Sequence, residues 1–127
     1  MTNDPRRRVG QLGERLAARR LERGGYRVLE RNYRTREGEI DIVARQGQTL
    51  VFCEVKTIVV RQTGNGPAFA LEAVRSAKRA KIRRLARSWM SERASAGGFR
   101  SVRFDAIGVT LSPRGRVLAL EHVEAAF

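Results

Sequence analysis

Apolar residues recur along this chain of 127 residues at two spacings, and each spacing predicts a type of secondary structure. A spacing of three to four residues predicts helices over 9–23 and about 69–93, the first ending at two glycines. Apolar, β-branched runs between turn residues predict five strands, over 26–34, 39–44, 50–57, 103–109 and 117–120. The resulting order, αβββαββ, predicts an α/β fold in which helices cover a mixed, twisted sheet.

The second and third predicted strands carry charged residues where a buried strand is usually apolar, namely Glu39 and Asp41 in one and Glu54 and Lys56 in the other. Charge inside a sheet is costly unless it is paired or bound to a metal. With a two-residue hairpin loop at 47–48, Asp41 lies opposite Glu54 and Glu39 opposite Lys56, all on one face. Opposed carboxylates repel each other without a cation, and oxygen-rich sites suit Mg²⁺ or Mn²⁺. The two strands therefore predict a divalent-metal site that includes Asp41 and Glu54.

Three further groups extend this candidate site. Lys56 follows Glu54 by two residues on the same face, so it can orient an attacking water or stabilise developing charge without holding the metal. Glu14 lies at the edge of the apolar face of the first helix, beside Ala17, where it faces either a cleft or solvent. The backbone carbonyl of Val55 is expected as a further metal ligand. A solvated sheet face with cross-strand salt bridges is the alternative interpretation of the charged strands.

The composition of the chain limits the classes of protein to which it can belong. Its length suits one domain, 1–127, with residues 1–8 as a flexible basic tail, and it has no apolar run that could span a membrane. The single cysteine, Cys53, rules out a disulfide within the chain and a zinc site built on cysteines, and it suits a reducing cytoplasm. The single histidine, His122, argues against a Ser/His/Asp triad.

The net charge of +13, from 26 basic and 13 acidic residues, favours a polyanionic partner, and nucleic acid is the leading candidate. A genome rich in G and C explains an excess of arginine over lysine, but it does not explain the low acid count. Beside an apolar stripe that includes Ile82, Leu85 and Trp89, the second predicted helix carries cations with few anions to neutralise them. A solvated helix face is the alternative to nucleic-acid contact, which we expect from Arg75, Lys78, Arg79, Arg83 and Arg87.

Several motifs together resemble one family of proteins. The runs GEIDIVA at 38–44 and LVFCEVKT at 50–57, with RFD at 103–105 and EHV at 121–123, are similar to those of the YraN family of small bacterial proteins. The resemblance implies a restriction-endonuclease-like fold of the PD-(D/E)xK nuclease superfamily. It also implies that three residues, Asp41, Glu54 and Lys56, match the catalytic motif. Glu14 matches the helix-borne acid of related Holliday-junction resolvases.

One position departs from the family pattern. Family members commonly carry an arginine shortly after the motif lysine, where this chain has Thr57 and Ile58. The metal ligands are untouched by this difference. Arg61, in the loop that follows, is a candidate replacement for the missing arginine.

These features predict a Mg²⁺- or Mn²⁺-dependent nuclease that hydrolyses DNA phosphodiester bonds, with branched or damaged DNA as the candidate substrates. The alternative is a nucleic-acid-binding protein on a nuclease-like fold that does not cut. The intact Asp41, Glu54 and Lys56 favour the enzyme. A structural or partner-binding protein is a third hypothesis, for which the high positive charge is poor support. The sequence leaves open the choice between DNA and RNA and the formation of a homodimer.

Overall fold

A computed structural model describes residues 4–60, 76–93 and 97–127, and within these ranges the α/β fold and the order αβββαββ are confirmed. The predicted start of the second helix, at 69–75, and the loop that carries Arg61 lie outside the described residues. Neither of the described helices is long and apolar enough to cross a membrane. The elements are α1 Pro5–Arg23, β1 Arg27–Thr35, β2 Gly38–Gln46, β3 Thr49–Val59, α2 Ser76–Glu92, β4 Ser101–Leu111 and β5 Val117–Val123.

The strands of the described ranges form one mixed sheet in the order β1-β2-β3-β4-β5. Neighbouring strands are antiparallel except β3 and β4, which run parallel. A parallel pair needs a crossover connection, and α2 lies in the chain between these two strands. The predicted hairpin pairs of Gln46 with Thr49 and of Val43 with Phe52 are confirmed. The paired segment ends at Ile42 with Cys53, before the predicted pairs of Asp41 with Glu54 and of Glu39 with Lys56.

Helix α1 begins one turn earlier than its apolar spacing predicts. Asp4 caps the helix by accepting a hydrogen bond from the backbone N–H of Arg6 at 3.0 Å. Pro5 suits the first helical position, where a missing N–H costs nothing. Residues 5–8, expected in a flexible basic tail, are therefore helical, which corrects that prediction. Because residues 6–8 are arginines, the first turn of the helix has no apolar residues, and apolar spacing does not predict it.

Helix α1 lies close to β3 at Gly13. A Cβ atom added at this position would collide with the side chain of Thr57, so glycine is needed for the approach. On the same side of the sheet, Ala17 and Leu21 are buried in a core formed with β2, β3 and β4. The close contact at Gly13 brings the next residue, Glu14, against the sheet.

Helix α2 covers the opposite face of the sheet. Its predicted stripe is confirmed for Ile82, Leu85 and Trp89, which are 5%, 2% and 3% exposed and pack against Val43 and Phe52. The ring of Trp89 meets that of Phe52 edge-on, with centroids 5.8 Å apart. The sheet therefore separates two apolar cores, one under each helix.

A buried polar cluster joins β4 to the segment that follows β5. Asp105 is fully buried and accepts hydrogen bonds from Arg103 at 2.8 and 2.9 Å and from the backbone N–H of Ala125 at 3.0 Å. Nε2 of His122 lies 2.7 Å from the Asp105 carboxylate. Burial raises the pKa of Asp105, but the contacts with His122, Arg103 and Ala125 outweigh it and hold the pKa below its ordinary value. The cluster ties residues 122–125 to the sheet.

Candidate metal centre

Asp41 lies where the paired segments of β2 and β3 end. The last pair of their register is Ile42 with Cys53, and Asp41 is the next residue of β2. Its carboxylate accepts a hydrogen bond from the backbone N–H of Val55 at 2.7 Å. The residue is only 7% exposed, so an acid is held out of water between the two strands. Val55 thus contributes through its N–H, and a role for its carbonyl as a metal ligand stays a prediction.

Two further acids lie beside Asp41. Glu14 comes from α1 and Glu39 from β2, and each of the three residues offers one carboxylate oxygen such that all three oxygens lie within 4.8 Å of one another. One oxygen of Glu14, Oε1, is buried and has no hydrogen-bond partner among the described residues. A buried oxygen without a partner is costly, so its position calls for a ligand.

The surroundings of Asp41 and Glu14 oppose the ionisation of these two acids. Burial, followed by the charge of Glu54, raises the pKa of Asp41 to about 8, despite the hydrogen bond from Val55. Burial, followed by the charge of Glu39, also raises the pKa of Glu14. An acid that is buried beside like charges favours its neutral form, and a bound cation reverses that preference.

A pocket with a volume of about 310 Å³ opens beside these acids, between the sheet and α2. Glu54, predicted as the partner of Asp41, borders this pocket and contributes to the raised pKa of Asp41. The lining therefore combines acids of β2 and β3 with residues of α2 and of the segment after β5. Its members are Gly38, Glu39, Asp41, Glu54, Lys81, Ile82, Leu85 and Phe127.

Lys56 is not among the residues that line this pocket. It borders a second cavity, formed with the first turns of α1 and with neighbouring residues of β3. Glu39, for which Lys56 was the expected partner, instead accepts a hydrogen bond from Nε of Arg34 at 2.8 Å. Arg34 and Glu39 lie directly opposite each other in the register of β1 and β2, which explains why Glu39 pairs with Arg34 and not with Lys56. The role of Lys56 in catalysis stays a prediction.

The predicted nucleic-acid contacts of α2 divide into three groups. Arg79 and Arg87 are exposed. Arg83 donates a hydrogen bond to the backbone oxygen of Phe127 at 3.1 Å, and its guanidinium lies 4.7 Å from the ring centre of Phe104. Arg75 and the side chain of Lys78 lie outside the described residues. The exposed arginines are thus open to a polyanion, whereas Arg83 is engaged within the fold.

Sequence reasoning left two residues of this pocket without a role. The two-residue spacing of Glu39 from Asp41 is the signal that indicates a shared site. Lys81 is one of several cations on the second predicted helix, and no local signal in the sequence sets it apart. Its place at the pocket depends on how α2 docks on β2.

The donor set suits a hard divalent cation. Carboxylate oxygens are the ligands that Mg²⁺ and Mn²⁺ prefer, and three of them converge here from α1 and β2, with Glu54 on the pocket wall. The unpartnered Oε1 of Glu14 is a further argument for this fit. The described residues thus offer several carboxylate oxygens, the type of ligand that such an ion prefers.

Fold and site together define a small α/β protein with a carboxylate-rich pocket between a mixed sheet and one helix. The chain belongs to the uncharacterised protein family UPF0102, the YraN family, whose model matches residues 13–109. This confirms the resemblance seen in the motifs. The matched residues include the three acids of the cluster and also Glu54 and Lys56.

Individual relatives match the chain almost from end to end. A UPF0102 protein of Moorella thermoacetica is 48% identical over 122 residues, which cover 96% of this chain and 97% of the relative. A UPF0102 protein of Frankia alni is 47% identical over 119 residues, covering 94% and 93% of the two chains. A UPF0102 protein of Pelotomaculum thermopropionicum is 40% identical over 124 residues, covering 98% of each.

Proposed function

We propose that the protein is a metal-dependent nuclease that hydrolyses phosphodiester bonds of DNA on a restriction-endonuclease-like fold. The observation that carries this proposal is the convergence of carboxylate oxygens from Glu14, Glu39 and Asp41 within 4.8 Å, at the edge of a pocket. Placing two further acids beside the buried Asp41 is costly, and a bound Mg²⁺ or Mn²⁺ offsets that cost. The pocket leaves room beside the acids for a substrate phosphate.

The residues of this site are assigned different roles in the proposed reaction. Asp41 and Glu54 match the family motif and are assigned as ligands, with Glu14 and Glu39 completing the acid set. When bound, the cation polarises a phosphoryl oxygen and acidifies a water molecule. Lys56 follows Glu54 by two residues in β3, whose register with β4 runs without a shift, so strand alternation gives the two residues the same face although Lys56 borders the second cavity. We assign Lys56 stabilisation of the developing charge.

The charge of the chain supports DNA as the substrate. With a net charge of +13, the protein attracts a polyanion, and phosphate contacts contribute most of the affinity of non-specific DNA binding. Helix α2 carries the exposed Arg79 and Arg87 and also forms one wall of the acid pocket. A strand that binds along α2 would therefore pass next to the carboxylates.

A cleavage assay tests the proposal directly. The purified protein is incubated with Mg²⁺ or Mn²⁺ and a panel of labelled linear, flapped and four-way-junction DNAs, with a single-stranded RNA included. Wild-type protein should cut at least one DNA, and Asp41→Asn should not. Glu22→Gln, which removes an exposed acid of α1 distant from the family motif, serves as the matched control and should cut like wild type.

Two other outcomes would point elsewhere. If the protein cuts the RNA and none of the DNAs, the substrate is RNA and not DNA. Binding of DNA in Mg²⁺ and Mn²⁺ without cleavage of any substrate would favour the alternative, a nucleic-acid-binding protein on a nuclease-like fold. We place either activity in the cytoplasm, which suits the single buried thiol of Cys53. A homodimer stays a prediction that the mass in solution, measured by light scattering, tests.

A further inference from the structure

Lys81 reaches across the acid pocket from α2 to the start of β2. A Cβ atom added at Gly38 would lie 2.5 Å from Cε of Lys81 and 2.9 Å from its Nζ. The lysine stem therefore fills the space over residue 38, and its ammonium group lies beside the residue that precedes Glu39. Gly38 has a φ of 142°, which also disfavours a side chain there. A side chain at position 38 would displace the end of the lysine from this place.

The ammonium group of Lys81 makes no ion pair within the described part of the chain. Its side chain lines the same pocket as Glu39, Asp41 and Glu54 and is exposed to solvent. The pocket therefore has a positive charge on α2 and acids on the sheet. An anion that the acids bind through a metal ion could also contact Lys81. A phosphate has that chemistry, since it can accept from a lysine and bind a divalent ion with different oxygens.

Composition gives a second reason to single out this residue. Only three of the 26 basic residues are lysines, at positions 56, 78 and 81, and the rest are arginines. Lysine offers a compact charge on a flexible stem, whereas the planar arginine fork needs more room. At Gly38 the side chain passes directly over the backbone, where the slim lysine stem fits. Lys81 is thus one of only three lysines in an arginine-rich chain, and it lines the acid pocket.

We propose that Lys81 binds the substrate phosphate in the acid pocket, donating to a non-bridging oxygen from its place over Gly38. The proposal rests on the nuclease function proposed above and assigns a further residue to the same site. Lys81 then acts on the substrate, whereas the acids hold the cation. It follows that Lys81 should affect phosphate binding and cleavage without being needed for metal binding.

Two variants and one control test the role of Lys81. Lys81→Met keeps the length of the side chain and removes the charge, and Lys81→Arg keeps the charge and changes the shape. Arg114→Gln removes one positive charge from the exposed turn between β4 and β5 and is the matched control. For each protein, three quantities are measured: Mn²⁺ affinity by calorimetry, oligonucleotide affinity in Ca²⁺, and the single-turnover cleavage rate in Mg²⁺.

The expected pattern is specific to a phosphate contact. Lys81→Met should bind Mn²⁺ at least as well as wild type, lose about tenfold in oligonucleotide affinity, and cleave about 100-fold more slowly. Lys81→Arg should recover part of both losses, and Arg114→Gln should change neither by more than about twofold, because an isolated exposed charge contributes little. Cleavage by Lys81→Met at the wild-type rate would overturn the proposal while leaving the nuclease function standing.

A double-variant measurement separates failure of this proposal from failure of the nuclease function. If wild-type protein cuts no substrate, the nuclease function fails, and oligonucleotide affinity in Ca²⁺ alone decides the role of Lys81. Lys81→Met should then weaken binding in the wild-type background but much less in the Asp41→Asn background, because both changes act on one bound phosphate. Equal losses in the two backgrounds, or no loss in either, would reject a shared phosphate site.

Discussion

The backbone N–H of Val55 donates a hydrogen bond to the carboxylate of Asp41 at 2.7 Å, just beyond the last pair of the β2–β3 register. Burial and the charges of Glu54, Glu14 and Glu39 nevertheless raise the pKa of Asp41 to about 8. The metal-free protein therefore favours the protonated acid at neutral pH. A cation that binds here must displace the proton, so metal binding should release protons and strengthen as the pH rises.

The raised pKa of Asp41 predicts how stability depends on pH in the metal-free protein. Between the ordinary value of 3.8 and about 8, the folded state holds a proton that the unfolded state has lost, so stability falls as the pH rises through this window. Each pKa unit corresponds to about 1.4 kcal/mol. Asp41→Asn should therefore be more stable than wild type in EDTA at pH 8 by a few kcal/mol, and the gain should vanish near pH 4. Urea unfolding at both pH values measures this, and a gain that is the same at both would contradict it.

The acid cluster predicts a divalent-metal site that calorimetry can detect. Titration of Mn²⁺ into wild-type protein should show binding, and Asp41→Ala should abolish it, because this residue is the most buried acid of the cluster. Glu14→Gln should weaken binding, since it neutralises the group with the unpartnered oxygen. Glu22→Gln, an exposed change on the same helix, should leave binding intact. Equal binding by wild type and Asp41→Ala would remove the metal assignment.

Lys56 is predicted to assist catalysis without holding the metal. An ammonium group repels a divalent ion, so Lys56→Ala should leave Mn²⁺ affinity similar or higher. The cleavage rate should fall about 100-fold, as expected when one group that stabilises transition-state charge is removed. Rates and affinities are compared in the same buffer, with circular dichroism to confirm folding. Loss of metal binding in a folded Lys56→Ala protein would argue against this role.

The exposed arginines of α2 predict a strong dependence of DNA binding on salt. Each neutralised phosphate of duplex DNA contributes a slope of about −0.9 to the logarithm of affinity against the logarithm of salt concentration. Arg79→Gln and Arg87→Gln should each reduce the magnitude of the slope by about one unit. Fluorescence anisotropy in Ca²⁺ measures it. An unchanged slope in the double variant would mean that this face of α2 is only solvated. Arg83 is a poor choice for this test because it holds Phe127.

The Asp105 cluster predicts a large loss of stability on neutralisation. Asp105→Asn leaves Arg103 without its buried partner and should cost about 3–5 kcal/mol. Glu124→Gln, which changes an exposed acid 3.3 Å from the same arginine, should cost less than about 1 kcal/mol. Because the pKa of Asp105 is lowered in the fold, its contribution is present above the ordinary value of 3.8 and is lost as the pH falls below it. Urea unfolding of the three proteins at pH 7 and pH 3 tests both statements.

Much of the fold was predictable because its signals are local. The spacing of apolar residues indicated every described element, and a two-residue loop correctly set the pairing of Val43 with Phe52. The start of α1 was wrong, because Asp4 and Pro5 determine it and they carry no apolar signal. Local patterns therefore predict where elements lie better than where they begin.

The site was less predictable because it depends on contacts between distant elements. The spacing of Glu39 and Asp41 indicated an acidic face, but the pairing argument covered only the β2–β3 hairpin. It therefore missed Arg34, which lies opposite Glu39 across the turn between β1 and β2. The place of Lys81 follows from the docking of α2 over Gly38. Such a contact is a property of the tertiary structure, so it is invisible in the charge pattern of the helix alone.

The position of Phe127 has a practical consequence for anyone who purifies this protein. The segment after β5 is fixed by hydrogen bonds from Ala125 to Asp105 and from Ala126 to Phe104, and it leaves Phe127 on the wall of the acid pocket. An affinity tag fused after Phe127 would start at the mouth of that pocket, where a run of histidines could capture the metal or block the substrate. A tag placed ahead of α1, or one removed by a protease, avoids this interference in the metal-binding and cleavage assays.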